Sequence, residues 1–307
     1  MLYPPPDIIE AEIHARLPDR FRVQGLRSTW GAWNKSGAAL HSFLEGPSFD
    51  RDGNLYLVDI PWGRIFRVSP SGDTWSLIAE YDGEPNGLKI HRDGRIFIAD
   101  YKNGIMLLDP ATGAVTPHLV RNRLERFKGV NDLVFASNGD LFFTDQGLTG
   151  LHDPTGRVFR HAADGSLTCL VDTVPSPNGI VPNDAENVIF VAVTRANAVW
   201  RVPLLADGTT AKVGVFIQLS GGLGGPDGLA LDETGGLWVA HAGNGCVFGF
   251  DRLGRPKYRV VVPDGLSTTN IAFGDADRKT LYITESETGA VYRARAPVAG
   301  RPMYSHA

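Results

Sequence analysis

Asn86-Gly87-Leu88-Lys89-Ile90-His91-Arg92-Asp93-Gly94-Arg95-Ile96-Phe97-Ile98-Ala99-Asp100 is the stretch on which the fold turns. Leu88 and Ile90 alternate with polar neighbours as a half-buried strand does, and Arg92-Asp93-Gly94 punctuates a hairpin. Ile96 to Ala99 then forms a near-continuous apolar strand that ends on Asp100. Gly104 to Leu108 supplies a third strand, Pro110 to Gly113 a turn, and Val115 to Leu119 a fourth. The same unit recurs at Glu45-Gly46-Pro47, Asn131-Asp132-Leu133, Asn178-Gly179-Ile180, Asp227-Gly228-Leu229 and, degenerately, Thr269-Asn270-Ile271. First positions 45, 86, 131, 178, 227 and 269 are separated by 41, 45, 47, 49 and 42 residues, the period of a propeller blade. The expected fold is all-β: a six-bladed β-propeller with four antiparallel strands per blade. A ring of sheets leaves no bare edge only if some segment closes it, so residues 1–44 are expected to donate a strand to the last blade.

Composition agrees. The 307 residues are 43% hydrophobic, with 36 Gly and 20 Pro, enough for a sizeable core and many tight turns. The repeat runs without a linker, so the expectation is one structural domain, with an N-terminal extension over 1–44, the propeller over 45–296 and a tail over 297–307. A formal charge of −4 offers no basic footprint for nucleic acid. No apolar run is long enough to span a membrane, and the start, Met1-Leu2-Tyr3-Pro4-Pro5-Pro6, lacks the pattern of a secretory leader. Cys169 and Cys246 stand far apart, which points away from a disulfide framework or thiolate metal site and toward two half-buried thiols in a reducing cytoplasm.

A propeller aims equivalent positions of every blade at one channel, so Glu45, Asn86, Asn131, Asn178, Asp227 and Thr269 should ring one mouth. Two carboxylates with amide oxygens are the donors a hard divalent cation takes, and no Cys or His stands among them. Calcium is expected first; magnesium, manganese, zinc and ferrous iron also suit oxygen donors. A second ring lies fourteen residues on at Asp59, Asp100, Asp145 and His241, and sixteen on at Thr194 and Glu285. It either borders the same mouth or bonds the backbone of its own blades. Around it fall Trp62, Tyr101, Phe127, Leu148, His152 and Arg195, a mixture expected of a small-molecule pocket. Pro4-Pro5-Pro6 and the Trp30 to Trp33 stretch stand outside the repeat and suit a closing strand, a lid or a dimer contact.

Glu45-Gly46-Pro47, Gly129-Val130-Asn131-Asp132, Ser176-Pro177-Asn178-Gly179 and Gly225-Pro226-Asp227-Gly228-Leu229 resemble the signature elements of the SMP-30/gluconolactonase family over about residues 40 to 295. The resemblance implies a six-bladed propeller with one catalytic divalent metal that hydrolyses sugar lactones or related compounds. It implies Glu45, Asn178 and Asp227 as metal ligands, Asn131 as a ligand of metal or substrate, and Arg126 as a substrate contact. Asn86 belongs to the repeat pattern, with its direct ligation open. Asp227 is then the general base, or else the group that orients the attacking water. The remaining expected substrate contacts are Trp62, Tyr101, Asp145, His152 and His241. A gluconolactone-type substrate, acted on by a monomer or weak homodimer, is the first expectation. Ile60, Trp62, Tyr101, Phe127, Leu148 and Leu151 are apolar for a polyhydroxylated ring, so a less polar or enol lactone is the rival. A propeller that binds a metal and a ligand or protein without hydrolysis is the other.

Overall fold

The computed structural model describes residues 3–306; Met1, Leu2 and Ala307, and the expectations that touch them, lie outside the described residues. Six sheets are arranged by sequence order, each with its innermost strand first. The innermost strands are Leu44–Phe49, Pro85–Ile90, Val130–Phe135, Pro177–Pro182, Gly225–Leu231 and Thr268–Gly274. Each pairs antiparallel with the next strand in sequence, and the innermost strands contact one another around the ring, the last packing on the first. Apolar clusters fill the wedges between neighbouring blades, as where Leu44, Leu57 and Phe66 of the first meet Ala272 and Tyr282 of the sixth.

The sixth sheet contains only three strands from the repeat, and Glu12–Arg16 supplies its outer one, antiparallel to Ala290–Arg295. The N-terminal segment therefore closes the ring. It does one thing more: Asp7–Glu10 adds a fifth strand to the fifth sheet, parallel to Pro256–Val261. Chain direction makes this reasonable, since the segment runs along two adjacent outer edges and covers both.

The decisive local feature is a register shift repeated in all six blades. Pairing between the first two strands slips at Glu45/Ser48, Pro85/Gly87, Val130/Leu133, Pro177/Ile180, Pro226/Leu229 and Thr268/Ile271. A bulge re-aims a side chain and bends the strand. In the first five blades it turns the leading residue of the motif toward the axis. The residue that follows it must be small where blades crowd: a Cβ on Gly179 would lie 2.2 Å from the Asp227 carbonyl oxygen, and Gly46 sits at φ +58°. In the third and sixth blades that second position is Asp132 and Asn270, both buried.

At the far end of the channel the C-terminal segment lies across the opening. Arg301 bonds the Asn183 carbonyl and Glu186. Tyr304 stacks on Phe135 at 5.0 Å, and Arg51 bonds the Ser305 carbonyl at 2.8 Å. An apolar-walled cavity of ≈ 280 Å³ is enclosed beneath it. Neither thiol is half-buried as expected: Cys246 is fully buried, and Cys169 lies exposed on an outer strand.

Candidate active site

A cavity of ≈ 840 Å³ opens at the other mouth, with Glu45, Asn86, Asn131, Asn178 and Asp227 on its wall. All five are buried, the most exposed being Asp227 at 9%. They come from five different blades, and the bulges bring them together. Thr269 does not join them: its hydroxyl bonds the Leu44 carbonyl at 3.0 Å. In its blade the residue that reaches the centre is the next one, Asn270, whose Nδ2 donates to Glu45 Oε2 at 2.8 Å.

The orientation of the amides follows from their neighbours. Asn131 Nδ2 donates to Gln146 Oε1 at 2.9 Å, and Gln146 Nε2 donates to Ser176 Oγ at 3.0 Å. That chain commits the nitrogen of Asn131 to protein and leaves its Oδ1 for a ligand. Ser176 holds an unusual backbone, φ +67°, and is pinned by its own N–H to Thr149 Oγ1 at 3.1 Å. Left-handed strain in a non-glycine residue persists where surroundings over-determine it, and here it sets the entry to Asn178.

Electrostatics single out the two carboxylates. Glu45 accepts from the Gly46 N–H at 2.6 Å and from Asn270, both on Oε2, so Oε1 keeps its full acceptor capacity. Burial, reinforced by the Asp227 and Asp132 charges, pushes the Glu45 carboxyl well above its usual range. Burial likewise pushes Asp227 up to about 7, although Lys35, the Asn178 amide and Arg195 pull it back. Among the described residues neither carboxylate is in an ion pair. Two carboxylates that burial and the nearby Asp132 charge both push upward, and that face amide oxygens, have the donor chemistry of a hard divalent cation. Among the described residues no three His, Cys, Asp or Glu side chains cluster, so a cation there would draw on the amides.

The remaining expected contacts divide. His152, Leu148, Leu151, Ile60 and Arg195 line the cavity. Asp145 does not: it is fully buried, accepts from the Gly129 N–H at 2.8 Å and from Arg157 Nε at 2.7 Å, and is held above its ordinary pKa by burial. Asp59 and Asp100 do the same work, accepting from the Phe43 and Glu84 N–H groups, each sixteen residues earlier. The three aspartates of the second ring thus fasten the loops entering their blades rather than bordering the pocket, whereas Thr194 of the same ring lines the cavity. His241 is fully buried behind the wall with Nε2 2.9 Å from Asn197 Oδ1. Tyr101 packs against Trp30, Phe43 and Ile60, and Trp62 donates Nε1–H to the Leu40 carbonyl at 3.2 Å. Arg126 is exposed in a two-stranded hairpin paired with Arg121, and its carbonyl accepts from Arg157 Nη2. Each of these four supports the site's surroundings without lining it.

Sequence alone does not single out Gln146 or Lys35, and Ser176 enters only as the opening residue of the Ser176-Pro177-Asn178-Gly179 motif. The Lys35 side chain enters the cavity from the end of the helix Thr29–Asn34, together with Trp30, Trp33 and Asn34. That stretch therefore covers the mouth. Ser28 caps the helix by accepting from the Gly31 N–H at 3.0 Å.

A six-bladed propeller whose bulged inner strands converge carboxylates and amides on one mouth defines a class of propeller proteins with an oxygen-donor centre. The model of the SMP-30/gluconolactonase/LRE-like region matches residues 43–287, and the chain belongs to that family. It is similar to the lactonase drp35 of Staphylococcus aureus, at 32% identity over 229 residues, 72% of this chain and 70% of that protein. Among solved structures it resembles regucalcin, a calcium-binding protein of Agrobacterium tumefaciens, with a TM-score of 0.77 at 25% identity over 98% and 99% of the two chains. A gluconolactonase of Xanthomonas campestris shares the fold, with a TM-score of 0.73 at 21% identity over 96% and 99%.

Proposed function

We propose that this protein is a metal-dependent lactonase that opens a cyclic ester to its hydroxy acid. The observation that carries the reading is the pair Glu45 and Asp227, buried, without an ion partner among the described residues, and faced by the amides of Asn131 and Asn178. A divalent cation held by these four would polarise the lactone carbonyl and offset the charge developing on its oxygen. Asp227, at the cavity wall, is placed to accept a proton from the attacking water. Asn131, fixed through Gln146, presents Oδ1 to the cation or orients the substrate. Water adds across the acyl–oxygen bond, and the product is a hydroxycarboxylate with one proton released. The regucalcin likeness and the all-oxygen donor set favour calcium, with magnesium, manganese, zinc and ferrous iron as the other candidates.

The cavity wall also supports a less polar substrate than an aldonolactone. Trp33, Leu148, Leu151, Leu223 and Leu266 line the cavity and stay exposed, Trp33 at 71% and Leu223 at 86%. An apolar collar of this kind favours a lactone with few hydroxyls. Two free thiols and a monomer or weak dimer in the cytoplasm complete the reading.

The test is proton release in weak buffer from metal-stripped protein supplied with each cation in turn, over lactones from gluconolactone and xylonolactone to apolar rings. Metal-dependent acid release is expected. Silence across the panel from protein shown to bind metal overturns hydrolysis and leaves a ligand-binding propeller.

A further inference from the structure

The charged side chains on the cavity wall are Lys35, Glu45, Arg195, Asp227 and Glu287. A divalent cation held at the floor would offset Glu45 and Asp227. Glu287 is occupied at the rim, its carboxylate accepting from the Leu266 N–H at 2.9 Å and the Ser267 hydroxyl at 3.0 Å. Lys35 and Arg195 are left. Among the described residues neither stands in an ion pair, although both act on Asp227 through space.

Lys35 is held by its surroundings, and Arg195 projects, exposed, from a fixed turn. The Lys35 ammonium lies 4.4 Å from the centroid of Phe43, which in turn packs on Trp30, and the Lys35 N–H closes the helix on the Gly31 carbonyl at 3.0 Å. Arg195 sits in the turn Thr194–Ala196, held by Thr194 Oγ1 donating to the Pro226 carbonyl at 2.8 Å, one residue before Asp227. The stem of Arg195 passes Gly150 beside His152. Burial presses Lys35 toward its neutral form, Asp227, Glu287 and Glu45 oppose this and Arg195 reinforces it; with a cation offsetting Glu45 and Asp227, an anion between Lys35 and Arg195 would take over that role. Arginine in particular offers a planar fork that matches a carboxylate.

We propose that Lys35 and Arg195 form a carboxylate-binding subsite, so that the lactone this protein takes carries an acid group beside its ring. The inference rests on the hydrolytic reading above and narrows it. The substrate would lie with its carbonyl toward a cation held by Glu45, Asn131, Asn178 and Asp227, and with its carboxylate toward the mouth. The apolar collar covers the ring between them. Hydrolysis then yields a dicarboxylate, and the reaction that supplies the lactone is one that closes a ring onto one acid of a diacid.

The test compares three rings of one size in the metal-loaded protein: γ-butyrolactone, 5-oxotetrahydrofuran-2-carboxylate and the methyl ester of that acid. The carboxylate should exceed its ester in kcat/KM by roughly 30-fold, mostly through KM, given that charge-assisted hydrogen bonds are about twice as strong as neutral ones. In Lys35→Met and Arg195→Met, checked for folding by far-UV circular dichroism, that ratio should fall toward unity. Independently of turnover, tetrahydrofuran-2-carboxylate, which lacks the lactone carbonyl, should bind the parent protein more tightly than either variant in calorimetry. Hydrolysis of all three rings with no preference for the acid overturns the subsite and leaves the lactonase intact. No hydrolysis of any ring with any cation overturns the lactonase, and loss of the calorimetric difference as well overturns the subsite with it.

Discussion

Two rings of acidic and amide side chains, built from the same repeat and only fourteen residues apart, have opposite fates. The inner ring, Glu45, Asn131, Asn178 and Asp227, stands on bulged strands and faces a cavity with acceptor capacity unspent. The second, Asp59, Asp100 and Asp145, is just as buried, yet every carboxylate is satisfied by loop N–H groups, with Arg64 and Arg157 added at Asp59 and Asp145. Burial alone therefore does not mark a functional acid. A carboxylate is available for chemistry when the fold buries it and withholds its partners.

The comparison can be broken most directly at Asp227. Asp227→Asn should lower kcat by roughly 10³-fold, the scale of a lost general base, with secondary structure unchanged in circular dichroism. Its melting temperature without metal should rise, because one of two buried like charges is gone. In the second ring the signs reverse. Asp145→Ala leaves Arg157 buried beside only the exposed Glu125, and should cost about 3 kcal/mol in denaturant unfolding while turnover per folded molecule persists.

Acidity separates the rings more gently. In the metal-free protein Asp227 is raised from 3.8 to about 7, so the folded state holds a proton that the unfolded chain releases across that interval. Stability from this group is present at low pH and is lost as pH climbs from about 4 to about 7. Thermal melts of metal-free protein should show that decline, Asp227→Asn should flatten it, and a saturating cation should reverse it, by about 2.7 kcal/mol at a hundredfold excess over Kd. The smallest effect is expected at Gln146→Leu, which frees Asn131 to rotate. Metal affinity in calorimetry should weaken on the order of 10-fold, as when an outer-shell partner is lost.

Much of this is legible in the sequence. Period, hairpin punctuation and the leading Glu, Asn and Asp of each motif are local signals, and the structure turns them into blades and a mouth. What was not legible depends on relations between blades. No turn residue announces the bulges, so the one-residue displacement from Thr269 to Asn270 at the centre could not be read from alignment of the motifs. Asp145 and an inner-ring acid look alike along the chain because Arg157, which satisfies the former, is contributed by another strand. His241 and Tyr101 occupy the right end of their strands but sit one layer too deep. Lys35 lies outside the repeat altogether, in a helix whose position over the mouth is decided by Trp30 packing on Phe43.

The seam made by Glu12–Arg16 against Ala290–Arg295 joins residues as far apart as Arg293 and Glu12, 281 positions along the chain. Closing so long a loop is entropically unfavourable until the other five blades have shortened it, so the seam should be the last hydrogen-bonded edge to form. It should correspondingly be the first to exchange its amide protons, opening the ring like a clasp while the blades themselves stay intact.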